Sequence, residues 1–282
     1  MTSWILYAVV AVLMVGLMSS MYKVPAAKQM SKYALLTWSF FFSVVTVGVI
    51  FHQYIVFDIT TILYASVWGA GYAALTLTQM HALHKYDTSE VFPFTSLLSN
   101  ILVVLGGVLF FNEIISLVQW IAVVVSVYLF VAAHWNSKVH FFAEVFPVFM
   151  AIVFFSTFSK FVQKLGADVL EMHNFIFWEF VFAFVASLIM FAVTTKKGYF
   201  PKTIPHKLLG WALAIGLLNV GTNYATIKAL SLGPVSLVYI VIGLYTFFTA
   251  IFAALLFKEK ITKKHVMYIT MSFLVILLIK FG

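Results

Sequence analysis

Cysteine and arginine are both absent from this chain of 282 residues, and acids are scarce: nine Asp and Glu against seventeen basic residues, all of them lysine. Without cysteine there is no disulfide frame, no thiolate metal site and no thiol nucleophile, and the redox compartment is not legible. Without arginine there is no planar fork to grip a phosphate or carboxylate through two bonds. Polar surface is missing too. Charged residues make up 9% of the chain and apolar ones 63%, with a mean hydropathy of +1.07. A soluble domain has about 25% charged and about 45–50% apolar residues. The apolar excess is spread along the whole chain, which excludes a water-facing globule and also a soluble enzyme on a single anchor. The start, Met1-Thr2-Ser3-Trp4, lacks the positive n-region of a cleavable signal. A formal charge of +8 can point to nucleic acid, but these lysines stand singly or in small groups between apolar runs. That spacing suits membrane orientation, and no nucleic-acid partner is expected.

What is present is a series of ten apolar runs, near 3–21, 33–51, 61–83, 88–111, 116–134, 142–162, 172–193, 208–230, 233–257 and 263–281. Each is close to the ~20 residues a spanning helix needs. Lipid forbids unpaired backbone, so such runs are helices or barrel strands. Ile101–Phe111 does not alternate as a barrel strand would. Gly233-Pro234 separates two runs, and Lys196-Lys197-Gly198 with Pro201 and Pro205 marks the longest polar loop. Pro93 and Pro147 fall inside runs, where each is expected to kink its helix and free a carbonyl.

With ten spans the connections alternate between two sides. One side carries Lys23, Lys28, Lys32, Lys85, Lys138, Lys196, Lys197, Lys202, Lys207, Lys258, Lys260, Lys263 and Lys264; the other has Lys160, Lys164, Lys228 and Lys280. Lysine-rich loops are cytoplasmic, which puts both termini outside the cytoplasm, with a plasma or inner membrane as the expected location.

An internal duplication is visible. Leu109, Phe111, Glu113, Ile115 and Ser116 share the pattern L-x-F-x-E-x-I-[ST] with Leu255, Phe257, Glu259, Ile261 and Thr262. Ala82-Leu83 with Ser89 and Val91 matches Ala229-Leu230 with Ser236 and Val238; Ser19 and Lys23 match Ser156 and Lys160; and Trp38-Ser39-Phe40 matches Trp178-Glu179-Phe180. An odd number of helices per copy inverts the second copy relative to the first. The expected fold is therefore an all-α membrane protein of ten transmembrane helices, in two inverted five-helix repeats (1–138 and 139–282) around a central cavity. In this pattern the chain resembles the drug/metabolite transporter superfamily, in its ten-helix EamA-type branch. The resemblance implies a bundle with a cavity between the halves that moves small organic solutes without ATP. Two features depart from that family. Ser99, Asn100 and Tyr245 stand where a mid-helix proline is common, and the lysine bias is opposite to that of many members.

Few polar groups lie inside the runs. Glu179 sits about 10 Å into the seventh span at 1.5 Å per residue, where a carboxylate is costly unless protonated, paired or wet. It is the candidate counter-charge or proton site, set against pairing with Lys160 or Lys228. Asn219, Asn223 and Tyr224 in the eighth span, with Gln79 and Asn100 in the first half, are candidates for lining the cavity, because interhelical amide bonds average only about 0.6 kcal/mol. Trp38 and Trp178 share a register and are read as walls that stack on cargo, against an interface-belt role. His81 is a second candidate for proton coupling. His81 and His84 have ligand spacing, but no carboxylate or thiolate lies near in sequence, so no metal site and no cofactor are expected. Glu113 and Glu259 each precede a helix start and are read as complements to the helix dipole, with Asn112 and Thr262 as caps.

No G-x-x-x-x-G-K-[ST] run is present to bind ATP. The function expected is a secondary transporter of a small amphipathic or cationic metabolite, amino-acid-like or amine-like, with proton coupling through Glu179. The alternative is an intramembrane enzyme acting on a lipid. Expected partners are the small-molecule substrate and membrane lipid.

Overall fold

The structure, a computed structural model, describes residues 3–84, 86, 88–134, 146–195, 206–258 and 263–281. Lys85, Lys138, Lys196, Lys197, Lys202, Lys260, Gly198, Pro201, Pro205, Glu259 and Thr262 lie outside them. The described residues are mostly helical, with no strand among them. The helices are α1 (Ser3–Met21), α2 (Val24–Lys28), α3 (Lys32–Ile50), α4 (Ile59–Ala82), α5 (Thr88–Phe110), α6 (Leu117–His134), α7 (Phe146–Val169), α8 (Met172–Thr195), α9 (His206–Leu232), α10 (Val235–Gly243), α11 (Tyr245–Phe257) and α12 (Lys263–Phe281), with a 3-10 turn at His52–Tyr54. Among the described residues six stretches are long and apolar enough to cross a membrane: Trp4–Lys28, Lys32–Ile50, Phe146–Val169, Met172–Thr194, His206–Leu232 and Val235–Phe257.

Unlike in a soluble protein, many large apolar side chains face outward while polar ones are buried among the apolar core. Val49, Leu63, Phe110, Phe154 and Leu255 face outward, whereas Thr37, Ser39, Ser43, Asn100, Gln163, Glu179, Asn219 and Asn223 are buried. Lipid supplies no hydrogen bonds, so polar groups turn inward to find them. Between helices, Thr37 Oγ1 donates to Ser187 O at 3.1 Å and Ser43 Oγ to Gly216 O at 3.1 Å. Two glycines set close crossings. A Cβ on Gly69 would lie 2.5 Å from Glu179 O, and one on Gly216 would lie 2.7 Å from Ser39 O. Each lets two helix backbones meet as small residues do in membranes.

Several sequence expectations change at this level. The ninth run is interrupted at Gly243–Leu244, where α10 gives way to α11. The sixth run continues as α7 to Val169, because Lys164 Nζ is satisfied by Asp168 Oδ1 at 2.8 Å and Leu230 O at 3.0 Å. α5 stays helical through Pro93, and Pro147 lies within α7 as described. The cap of α6 is Ser116 rather than Asn112: Gln119 N donates to Ser116 Oγ at 3.2 Å and Ser116 N to Gln119 Oε1 at 3.0 Å, a reciprocal box. Asn112 instead takes a positive φ of 51° where the chain leaves α5. Glu113 serves a distant helix. Its carboxylate accepts from Val235 N, from Ser236 N at 3.0 Å and from Ser236 Oγ, closing the N-terminus of α10.

Neighbour relations place the cavity. α4 packs along α8 and α7; α9 packs along α3 and α1; α5 meets α7, α10 and α11; α1 meets α10 and α11; α6 lies against α12. Between α1, α4, α5, α7, α9 and the α10–α11 junction the packing leaves a gap.

Candidate solute-binding cavity

The gap is a cavity of about 130 Å³. Its apolar wall includes Val15, Met18, Leu75, Ile152 and Ile242, with the aromatic faces of Trp68, Tyr72, Tyr239 and Tyr245. The Trp68 and Tyr72 rings stack at 4.5 Å. The two residues are four apart, so they project from one face of α4, and Gly69 and Gly71 between them let neighbouring helices come close.

Lys160 projects into this space from the middle of α7. Its ammonium donates to Asn100 Oδ1 at 2.7 Å and to Ser99 Oγ at 2.8 Å, and it lies 5.2 Å from the centre of the Tyr239 ring. Ser99 is fully engaged, since it also accepts from Thr157 Oγ1 and donates to Ser156 Oγ, each at 3.1 Å. Beside this cluster runs a second chain of bonds: Tyr239 OH donates to Gln163 Oε1 at 2.8 Å, and Gln163 Nε2 donates to Asn223 Oδ1. Asn100 reaches Lys160 past Gly243, where a Cβ would overlap the Asn100 amide nitrogen at 1.9 Å. The helix interruption at Gly243 thus opens the space this amide occupies.

Buried polar atoms without a partner are rare in folded proteins. Among the described residues they are Trp68 Nε1, Ser159 Oγ, Thr222 Oγ1 and both carboxylate oxygens of Glu179. Trp68, Ser159 and Thr222 all line the cavity. Glu179 is fully buried on α8. It lies behind the wall, where α8 crosses α4 at Gly69, next to the Trp68–Tyr72 stack.

Of the residues singled out from sequence, Gln79, Asn100 and Asn223 line the cavity. Asn219 is one bond away, its Oδ1 accepting from Tyr72 OH at 3.0 Å. Glu179 is paired with neither Lys160 nor Lys228. Trp38, Trp178, Tyr224 and His81 are off the wall. Trp38 packs on Phe41 and Phe42. Trp178 Nε1 donates to Val56 O at 3.0 Å, and Val56 N donates to Asn174 Oδ1 at 3.0 Å, which ties the α3–α4 connection across the start of α8. Tyr224 stacks on Phe51 within an aromatic group that includes His173 and Tyr54. His81 Nδ1 is 2.8 Å from Lys32 Nζ. Nearby His84 is held below the usual histidine range, first by burial and then by the Lys32 charge.

Sequence reasoning passed over Trp68, Tyr72, Gln163 and Tyr239, and saw Lys160 only as a possible partner of Glu179 near the bundle. For Lys160 and Gln163 a signal was present: an uncompensated cation and an amide three apart, one helical turn, inside an apolar run. For Trp68 and Tyr72, flanking glycines were the available sign.

Residues 144–281 match the EamA-like transporter family. No curated protein matches the chain. Among solved structures, one described only as the crystal structure of a protein aligns with a TM-score of 0.74 at 13% identity, covering 98% of this chain and 96% of that one. At that identity the likeness concerns the fold alone. The six membrane-length stretches, the outward apolar surface and the family match agree: this is a multi-pass membrane protein whose residues 144–281 match the EamA-like transporter family, consistent with the drug/metabolite transporter superfamily.

Proposed function

We propose that the chain is a secondary transporter that carries a small amphipathic, amino-acid-like solute by alternating access, with Glu179 as the site of proton coupling. The observation that carries this reading is the cavity, walled by helices from both halves of the chain and lined by polar atoms that have no partner of their own. A solute that supplies those partners offsets a penalty the protein otherwise bears, about 1–3 kcal/mol for each buried group left unmade.

In this reading the two halves, 1–138 and 139–282, are inverted five-helix repeats, and ten helical passes surround the cavity. The neighbour pattern supports it. Exchanging the halves turns the pair α4–α8 into α9–α3, α4–α7 into α9–α1, and α5–α7 into the contact of α1 with α10 and α11, all of which are present. Halves related in this way can rock about a site between them and open it to either side in turn.

Glu179 supplies the coupling. A charged carboxyl with neither oxygen paired is expensive in such surroundings, and taking up a proton removes that cost. Its position behind Trp68 and Tyr72 lets a change of charge bear on the wall without direct contact with the solute. Proteoliposome uptake of amino-acid-like solutes, with and without a pH gradient, tests the proposal. Uptake by the wild type should rise with the gradient, whereas Glu179→Gln should transport at a rate the gradient does not change. Robust Glu179→Gln transport with unaltered pH dependence would remove the proton assignment; no transport of any solute would remove the transporter reading.

A further inference from the structure

We infer that the cavity is an anion subsite, in which the Lys160 ammonium receives the carboxylate of a small solute with a compact apolar body. The inference rests on the transporter reading and narrows its substrate class. An ammonium has three donors and no acceptor. Two are used, on Ser99 and Asn100, and the third is available to a ligand. Among the described residues no Asp or Glu lines the cavity. Among the described residues the ion pairs are Lys164–Asp168 and His173–Glu171, neither of which involves Lys160.

The remaining wall chemistry has the same sense. Trp68 Nε1 can only donate, and it is buried without an acceptor. The Ser159 and Thr222 hydroxyls, likewise unpartnered, can turn to donate. Of the four side-chain amides on the wall, three have their oxygens engaged: Asn100 Oδ1 by Lys160, Gln163 Oε1 by Tyr239 and Asn223 Oδ1 by Gln163. A wall of one cation, free donors and mostly engaged amide acceptors fits an acceptor-rich anion. It repels an amine that brings no negative charge. Size sets the rest. An apolar cavity of roughly 150 Å³ takes up benzene, so a space of about 130 Å³ admits a carboxylate on about four to six carbons. Leu75, Ile152 and Ile242 give that body an apolar wall, and Trp68 and Tyr72 give it aromatic faces.

Three matched probes separate the charges: valine, isovalerate (the same skeleton without the amine) and isobutylamine (without the carboxylate). Titration calorimetry on the purified full chain in nanodiscs should detect isovalerate or valine and fail to detect isobutylamine. Lys160→Met should weaken carboxylate binding by about 10–100-fold, the range expected for a lost charge-assisted bond, and Lys160→Arg should recover most of it. Binding of isobutylamine, no carboxylate binding, or equal carboxylate affinity in wild type and Lys160→Met would each overturn the proposal. The discrimination among probes by the wild type decides the matter even where Lys160→Met fails to fold. Lys160-dependent binding without counterflow in proteoliposomes would keep the subsite and remove the transporter reading; counterflow of isobutylamine alone would do the reverse.

Discussion

The proposed anion subsite and proton site fall on Lys160 and Glu179, two ionisable side chains inside the bundle with different surroundings. Lys160 is held by two acceptors and an aromatic face on the cavity wall. Glu179 has no partner and sits one layer back. Glycines decide how closely that layer approaches. At Gly69 an alanine Cβ would strike Glu179 O at 2.5 Å and Ala183 N at 2.7 Å, both backbone atoms of α8. Gly69→Ala must therefore part α4 from α8, and its melting curve in detergent should show a loss of about 1–3 kcal/mol. Gly210 is the control. Nothing lies within 4 Å of its Cβ position, so Gly210→Ala should be neutral or gain about 0.4–1 kcal/mol. Asp58 gives a pH signature outside the membrane. The Thr61 hydroxyl and then the Thr61 amide hold its carboxyl below the usual range. A depressed acid stabilises the fold at pH above the ordinary carboxylate value, and that contribution disappears as pH falls through the depressed one. The melting temperature of the wild type should carry this acid-limb component, and Asp58→Asn should lack it.

At the scale of elements, α10 is where the two halves of the chain depend on each other. Glu113, in the connection after α5, closes its N-terminus, and Gly107 leaves room for the contact, since a Cβ there would lie 2.0 Å from Ser236 Oγ. Glu113→Ala should cost about 2 kcal/mol by orphaning those donors, with Glu113→Gln in between, read by thermal unfolding. At the other end of α10, Gly243→Ala should displace Asn100 and with it Lys160. It should reduce solute binding by more than its small effect on melting implies; equal binding in Gly243→Ala and wild type would count against the role of the interruption. These contacts show why the sequence was legible only in part. Apolar runs located the helices, because lipid leaves the backbone no other choice, and the repeated L-x-F-x-E-x-I-[ST] pointed to Glu113 as a helix-end residue. It did not say whose helix. That information lies in a contact 122 residues away in sequence, and periodicity carries no trace of it. The need for glycine at 243 was hidden for the same reason: a Cβ there would meet Asn100, a neighbour from another helix.

For the whole molecule, the outward-facing apolar surface follows from composition alone, and Asn100, Asn223, Gln79 and Glu179 stood out because polar atoms in apolar runs are few. Lys160 stands apart in sequence from the lysine-rich loops, but nothing there places it on a cavity wall, and Trp68 and Tyr72 are indistinguishable from lipid-facing aromatics until packing turns them inward. The central claim is that the cavity between the halves opens to both membrane sides in turn. The absence of cysteine makes it testable with one introduced thiol. Ser156→Cys, on the cavity wall, should react with a membrane-impermeant thiol reagent added to either face of oriented vesicles, and a bound solute should slow the reaction from both. Labelling from one face alone, under every gradient and solute condition, would contradict alternating access.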